Sequence, residues 1–289
     1  MRKFLRVSGY SFGGFFVLLA AYVAILAYPG VLFAHSVEYH SFTVHSDDDL
    51  AGIEPVLQQA ERALATSEIY DPALKYDIFF GDGNKPFTLL QHFHTGLVSL
   101  AIRGRWGEAS SSYNQSLPPY VGNIVTFYRP VIESDSLVYP ERGVNQSLSR
   151  TLAHEVVHTL LMNEFGLRRI ARTPPWKQEG YADYVAASAT ILRDPDYDIR
   201  KSVDRIRRQD SSWLANDRFG SLGAGCFQYG VLTDEEGRRW NTCYYIYRVM
   251  VEYLLDQRRI SFQELMAPGT SARETLRQLF AAYEDGTLR

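Results

Sequence analysis

Five consecutive residues, His154-Glu155-Val156-Val157-His158, constrain this chain more than any other stretch. They read H-E-x-x-H. In a helix, positions i and i+4 lie one turn apart on one face, so both imidazoles can reach a common point. Zinc accepts neutral imidazole, and a catalytic zinc site uses three protein ligands and keeps a fourth position for water. Glu155 follows the first histidine, where a carboxylate can take a proton from that water. The plain alternative is a buried helix with two incidental histidines.

The flanking residues predict the helix independently. Asn145, Ser147 and Ser149 are candidate N-caps, and Gly166 is a candidate C′ stop. Leu152, Val156 and Leu160 recur at i, i+4 and i+8, the pattern of a core face opposite His154 and His158. Further on, Pro174-Pro175-Trp176-Lys177-Gln178-Glu179-Gly180-Tyr181-Ala182-Asp183-Tyr184 predicts a second helix opened by Pro175 in its first turn. Glu179 and Asp183 lie at i and i+4 on one face of it. Glu179 suits the third metal position, and Asp183 can accept the free N–H of a ligating imidazole and so fix its tautomer. The alternative is an ordinary amphipathic helix with solvated acids. Gly180 counts against that, because a mid-helix glycine costs about 1 kcal/mol and asks for a packing reason.

His154-Glu155-x-x-His158 followed by Trp176-x-x-Glu179-Gly180-x-Ala182-x-Tyr184 resembles the gluzincin branch of zinc metallopeptidases, the thermolysin-like and aminopeptidase-like enzymes. The resemblance is strong over roughly residues 120 to 190. It implies a metallopeptidase (zincin) fold and one zinc ion per chain, held by His154, His158 and Glu179. It implies peptide-bond hydrolysis with Glu155 as the base, and an Asp183 bonded to one of the two ligand histidines. It also implies that the strand before the active-site helix, Asn123 to Tyr128, is an edge that pairs with an extended peptide. A tyrosine or histidine beyond the glutamate ligand would stabilise the oxyanion. Tyr244 is the first choice for it, ahead of Tyr245 and Tyr247. The gap between His158 and Glu179 is slightly longer than in the family. No Gly-x-Met-Glu-Asn segment is present, so the expected activity is that of an endopeptidase rather than an aminopeptidase. The reading from another class is an inactive peptidase-like domain that binds a peptide or protein. Glu155 argues against it, since a binding module has no need of the base.

The chain has 289 residues, enough for one substantial domain, and its net charge is −3 without a long basic or acidic block. Nucleic-acid binding has no electrostatic support. The amino terminus is of a different kind. Arg2, Lys3 and Arg6 precede an uncharged run from Val7 to Ala34, whose core is Phe12 to Tyr28. About 20 apolar residues cross a bilayer as a helix. The expectation is a short cytoplasmic segment (1–11), a single membrane helix (12–34) and an extracytoplasmic metallopeptidase domain (35–289), oriented by the basic residues. A cleaved signal peptide competes, but its apolar region is usually shorter, and cleavage after Ala34 would put Leu32 at the −3 position. Residues His35 to Tyr39 would be a short linker of at most about 18 Å. Cys226 and Cys243 suit an oxidising compartment, either as one disulfide or as two buried thiols.

Between these landmarks, His40–His45, Tyr76–Phe80, Leu97–Ile102 and Gly122–Tyr128 read as strands. Leu50–Thr66, capped by Asp47 to Asp49, and Pro86–Phe93 read as helices. Further helical patterns follow at Asp198–Gln209, Asn241–Gln257, Ser261–Leu265 and Ser271–Tyr283. The fold class expected is α+β, with a mixed-sheet N-terminal lobe, a helical C-terminal lobe and the two metal helices at their junction. His92 and His94 read as ordinary polar residues. Asn114-Gln-Ser116 and Asn145-Gln-Ser147 are glycosylation sequons.

Overall fold

The computed structural model describes residues 14–21, 29–80, 115–116, 123–127, 130–139, 144–209 and 230–288. The expectations for 86–93 and 97–102, for His92, His94 and Cys226, and for most of the 1–34 segment lie outside these residues. Residues 14–21 are helical. Among the described residues, no helix is long and apolar enough to cross a membrane.

The expected α+β plan is present, with a mixed sheet first and helices after it. β1 (His35–Tyr39) and β2 (Phe42–Ser46) form an antiparallel hairpin. The segment expected to be a linker is therefore a strand, and its turn residue His40 takes a left-handed φ of 49°. α1 (Ile53–Leu64) crosses over to β3 (Tyr76–Phe80), which pairs parallel with β2. α1 buries Ile53, Val56, Leu57, Ala60, Ala63 and Leu64, the i, i+3, i+4, i+7 stripe of an amphipathic helix. It starts later than expected, behind Gly52 at φ 82°. Asp49 caps only the preceding turn, accepting from the Ala51 N–H at 3.0 Å.

β5 (Asn123–Phe127) pairs parallel with β3, and β4 (Gln115–Ser116) pairs antiparallel with β5. The order is β1-β2-β3-β5-β4. The expectation that Asn123 to Tyr128 forms the sheet edge is thus corrected. β4 covers β5 at Val125 and Thr126, and β4 is the edge. Period-2 alternation puts Val44, Ile78 and Val125 in one cross-strand row, with Phe80 and Phe127 in the next. All five are buried in a core shared with α1 and the helices below.

A second, fully antiparallel sheet was not expected. It runs β6 (Pro130–Val131), β7 (Ser136–Tyr139), β8 (Val144–Ser147), β10 (Arg239–Asn241) and β9 (Val231–Thr233), in the order β6-β7-β8-β10-β9. The residues before Asn241 form the β9–β10 hairpin. The C-terminal lobe is therefore not purely helical.

β8 runs directly into α2 (Leu148–Ile170), and α3 (Pro175–Ala187) follows. α4 (Ile199–Arg207) is capped by Asp198, which accepts from the Arg200 N–H. α5 (Thr242–Glu252) is capped by Asn241 and passes into one π turn, Tyr253–Gln257. α6 (Phe262–Met266) has a capping box of Ser261 and Glu264, and α7 (Ala272–Glu284) closes the described chain. α2 packs against α1, α3, β4 and β5, and α3 packs closely on α5. Cys243 in α5 is disulfide-bonded.

Candidate metal centre

The motif helix is fixed firmly at its amino end. Ser147 is the N-cap, its Oγ accepting from the Arg150 N–H at 3.2 Å. Asp135, in the turn between β6 and β7, does more. Its Oδ1 accepts from the Ser149 N–H at 2.7 Å, and its Oδ2 from the hydroxyls of Ser147 (2.6 Å) and Ser149 (2.9 Å). A carboxylate here also opposes the positive end of the helix dipole. At the other end, Gly166 leaves helical geometry (φ 72°, ψ 156°) and kinks α2, where a stop was expected. The buried surface of α2 is wider than the Leu152/Val156/Leu160 stripe, since Ala153, Val157 and Leu161 are buried too.

α3 begins as expected, with Pro175 at N1, where its missing N–H costs nothing. Gly180 has the packing reason that the sequence asked for. A Cβ there would lie 2.5 Å from the Tyr247 carbonyl oxygen and 2.7 Å from Val251 Cγ2, so the backbones of α3 and α5 touch at this point. This close approach sets α3, with Glu179 and Asp183, between α2 and α5.

The expected ligands come together. His154 Nε2 is 3.1 Å from His158 Nε2 and 3.2 Å from Glu179 Oε2, and His158 Nε2 is 3.3 Å from the same oxygen. Among the described residues these three form a group that could hold a metal ion. Donor atoms around a tetrahedral zinc at ordinary bond lengths are about 3.3–3.4 Å apart, so the three sit close to one face of such a tetrahedron. Asp183 lies behind them with no exposed surface. Its Oδ1 accepts from His154 Nδ1–H at 2.8 Å and its Oδ2 from Trp240 Nε1–H at 3.3 Å. A neutral imidazole that donates through Nδ1 carries its lone pair on Nε2, the atom facing the cluster.

The electrostatics agree with a cation at this point. Burial works to lower the basicity of His154. The hydrogen-bonded Asp183 carboxylate, with Glu179 and Glu155, outweighs it and holds the imidazole well above its ordinary value. Burial likewise works to raise Glu179, but the imidazoles of His158 and His154 hold its carboxyl far below the usual range. Positive charge is favoured where the three donors meet, whether a proton or a metal carries it, and a metal binding there must displace protons. The donor set and its spacing fit zinc.

Glu155 faces the same field. Burial raises its carboxyl, and the two imidazoles oppose that without cancelling it. Of the three candidate tyrosines, Tyr244 lies beside the cluster, its ring centroid 6.2 Å from that of His154. Burial first, and then Glu179 and Glu155, hold its phenol well above the ordinary value, so it remains a proton donor. Tyr245 instead bonds Glu235 and accepts from Arg205, while Tyr247 is buried with its carbonyl against Gly180.

Three supporting residues had no site role in the sequence: Asp135, Arg150 and Trp240. Arg150 had a signal, since it precedes His154 by one turn on the same helix face. Its Nη1 donates to Asp234 at 2.7 Å, and its guanidinium lies 4.2 Å from the Trp240 ring centroid. Trp240 is distant in sequence from Asp183 and Arg150, its partners at the site, and had none. Comparison with protein-family models, curated proteins and solved structures finds no match for this chain.

Proposed function

We propose that this chain is a zinc-dependent peptidase of the gluzincin type with a zincin fold. The observation that carries the reading is the convergence of His154 Nε2, His158 Nε2 and Glu179 Oε2 within 3.1–3.3 Å, with Glu155 next in sequence to the first of them. His154, His158 and Glu179 would hold one zinc ion. Zinc in such a setting acts as a Lewis acid toward a water and a scissile carbonyl.

The chain's own groups supply the proton movements. The Glu155 carboxylate takes the proton from the attacking water and returns it to the leaving amine nitrogen. Tyr244 Oη–H would donate to the oxygen that gains charge in the tetrahedral intermediate. Asp183 keeps His154 in the tautomer that presents Nε2. The substrate on this reading is a peptide or protein. The apolar run that begins at residue 12 would tether the domain on the outer side of the membrane and limit it to exported or membrane-proximal polypeptides, a proposal that rests on the sequence alone; its last residues, 29–34, belong to the domain, where Phe33 packs on Phe79 and the Ala34 N–H bonds Asp47.

Metal analysis of the full-length protein tests the ligand set. One zinc per chain is expected, lost in His158→Ala. Full occupancy in that variant would refute the set. Glu155→Gln should bind zinc normally and lose nearly all cleavage of a peptide library. A zinc-loaded wild type that leaves the library uncut would favour the binding-module reading instead.

A further inference from the structure

Asp183 is the only described group that bonds the non-ligating nitrogen of His154, and its own second oxygen is not left to solvent. Trp240 Nε1–H approaches Oδ2 at 3.3 Å, and both side chains are sealed from water. The indole is itself clamped. The Arg150 guanidinium lies over it at 4.2 Å, and Arg150 is held by Asp234 at 2.7 Å in a pair that is almost wholly buried. Asp234 in turn accepts the backbone N–H groups of Glu236 (3.0 Å) and Arg238 (2.9 Å), so its carboxylate is fixed by the β9–β10 turn. Arg150 stands one helical turn before His154 on α2. The contacts therefore close a ring: α2 through Arg150, the hairpin through Asp234 and Trp240, α3 through Asp183, and α2 again through His154.

We infer that Trp240, clamped by the Arg150–Asp234 pair, is a positioning residue that fixes the Asp183 carboxylate and through it the metal-binding imidazole of His154. The inference rests on the zinc reading above and deepens it. A buried carboxylate with one oxygen unbonded can rotate toward whatever donor is near, and His154 Nδ1–H would follow it. With Oδ2 tied to Trp240, Oδ1 has one orientation. This gives the second sheet a part in the site, although none of its residues belongs to the ligand set. Indirect supports of metal ligands typically affect metal affinity by 10–100-fold, and one step further out the low end applies.

The test is the zinc affinity of the full-length protein by chelator competition, in a double-mutant cycle of Trp240→Phe and Asp183→Asn. Phenylalanine keeps a ring beneath Arg150 and removes only the N–H. The expected result is about a tenfold loss of affinity for Trp240→Phe, and little further loss when Asp183→Asn is already present. A merely structural tryptophan would weaken binding equally in both backgrounds, and that outcome overturns the inference. So does an unchanged affinity in Trp240→Phe, which leaves the ligand set standing. If Trp240→Phe does not fold, Arg150→Met, which frees the indole from its clamp, is read through the same cycle with the same two outcomes. A wild type that binds no zinc sinks the metal reading and this inference together.

Discussion

Replacing Gly180 by alanine separates two opposing effects of known sign. By helix propensity alone the change should stabilise α3 by about 1 kcal/mol. By packing it should do the reverse. The added methyl would stand 2.5 Å from the Tyr247 carbonyl oxygen and 2.9 Å from its carbon, about 0.9 Å short of the separation at which ordinary contact begins. Those atoms are backbone in the middle of α5 and cannot rotate away. Relief requires α3 and α5 to part by several tenths of an ångström. Overpacking of this kind costs about 1–3 kcal/mol, more where the neighbour is rigid, so the net effect should be a loss of about 2 kcal/mol. For a domain of this size that lowers the melting temperature by about 4–8 °C. The same displacement carries Glu179 and Asp183 away from the imidazoles, and a metal site tolerates about 0.5 Å of error. Zinc affinity should therefore fall along with stability. Thermal unfolding followed by circular dichroism, with chelator competition on the same samples, reads both. A variant that melts higher than wild type and binds zinc unchanged would show that α3 and α5 do not meet at Gly180, and the explanation of how α3 is placed would fall with it.

Asp135→Ala removes three accepted hydrogen bonds at the start of α2 and should cost about 2 kcal/mol in chemical denaturation, the upper range for a helix cap; a loss below about 0.5 kcal/mol would mean that Ser147 caps the helix alone. Glu235 gives a pH dependence. Burial works to raise its carboxyl, but Arg248, with Ser202 and Tyr245, brings it down to about 2, from 4.5 unperturbed. A depressed carboxylate contributes stability that is complete above about pH 4.5 and is lost as pH falls toward 2, on the order of 3 kcal/mol in all. Glu235→Gln should therefore flatten the acid limb of a stability–pH curve between these values, and an unaltered limb would contradict the assignment. Deleting residues 1–28 should leave the melting temperature of the rest unchanged. Deleting 1–35 should lower it, because the Phe33 ring packs on Phe79 with centroids 5.4 Å apart and the Ala34 N–H bonds Asp47; equal melting of the two truncations would show that these contacts contribute nothing.

What could be read in the sequence was local. β3 runs from Tyr76 to Phe80 as its alternation predicts, and α3 starts at Pro175, because period and capping act over a few residues. The i, i+4 rule also gave both pairs of site residues, His154 with His158 and Glu179 with Asp183. It could not say that the two pairs face each other at hydrogen-bond distance, which depends on how α2 and α3 pack. The second sheet escaped because its strands are two to four residues long, too short for any periodicity to register. β1 escaped because its turn has no glycine, and His40 takes the left-handed conformation in its place. Trp240 and Asp183 are 57 positions apart, and nothing about either residue alone points to the other. Gly180 is the exception that joins the two levels. Its helix-weakening cost is visible in the sequence, and a chain keeps such a cost only where a side chain would do more harm. From that alone a close backbone contact beside Glu179 follows. The structure supplies its partner, Tyr247 on α5, the helix that also brings Tyr244 to His154. The residue that weakens α3 as a helix is thus what lets α5 approach closely enough for its tyrosine to reach the site.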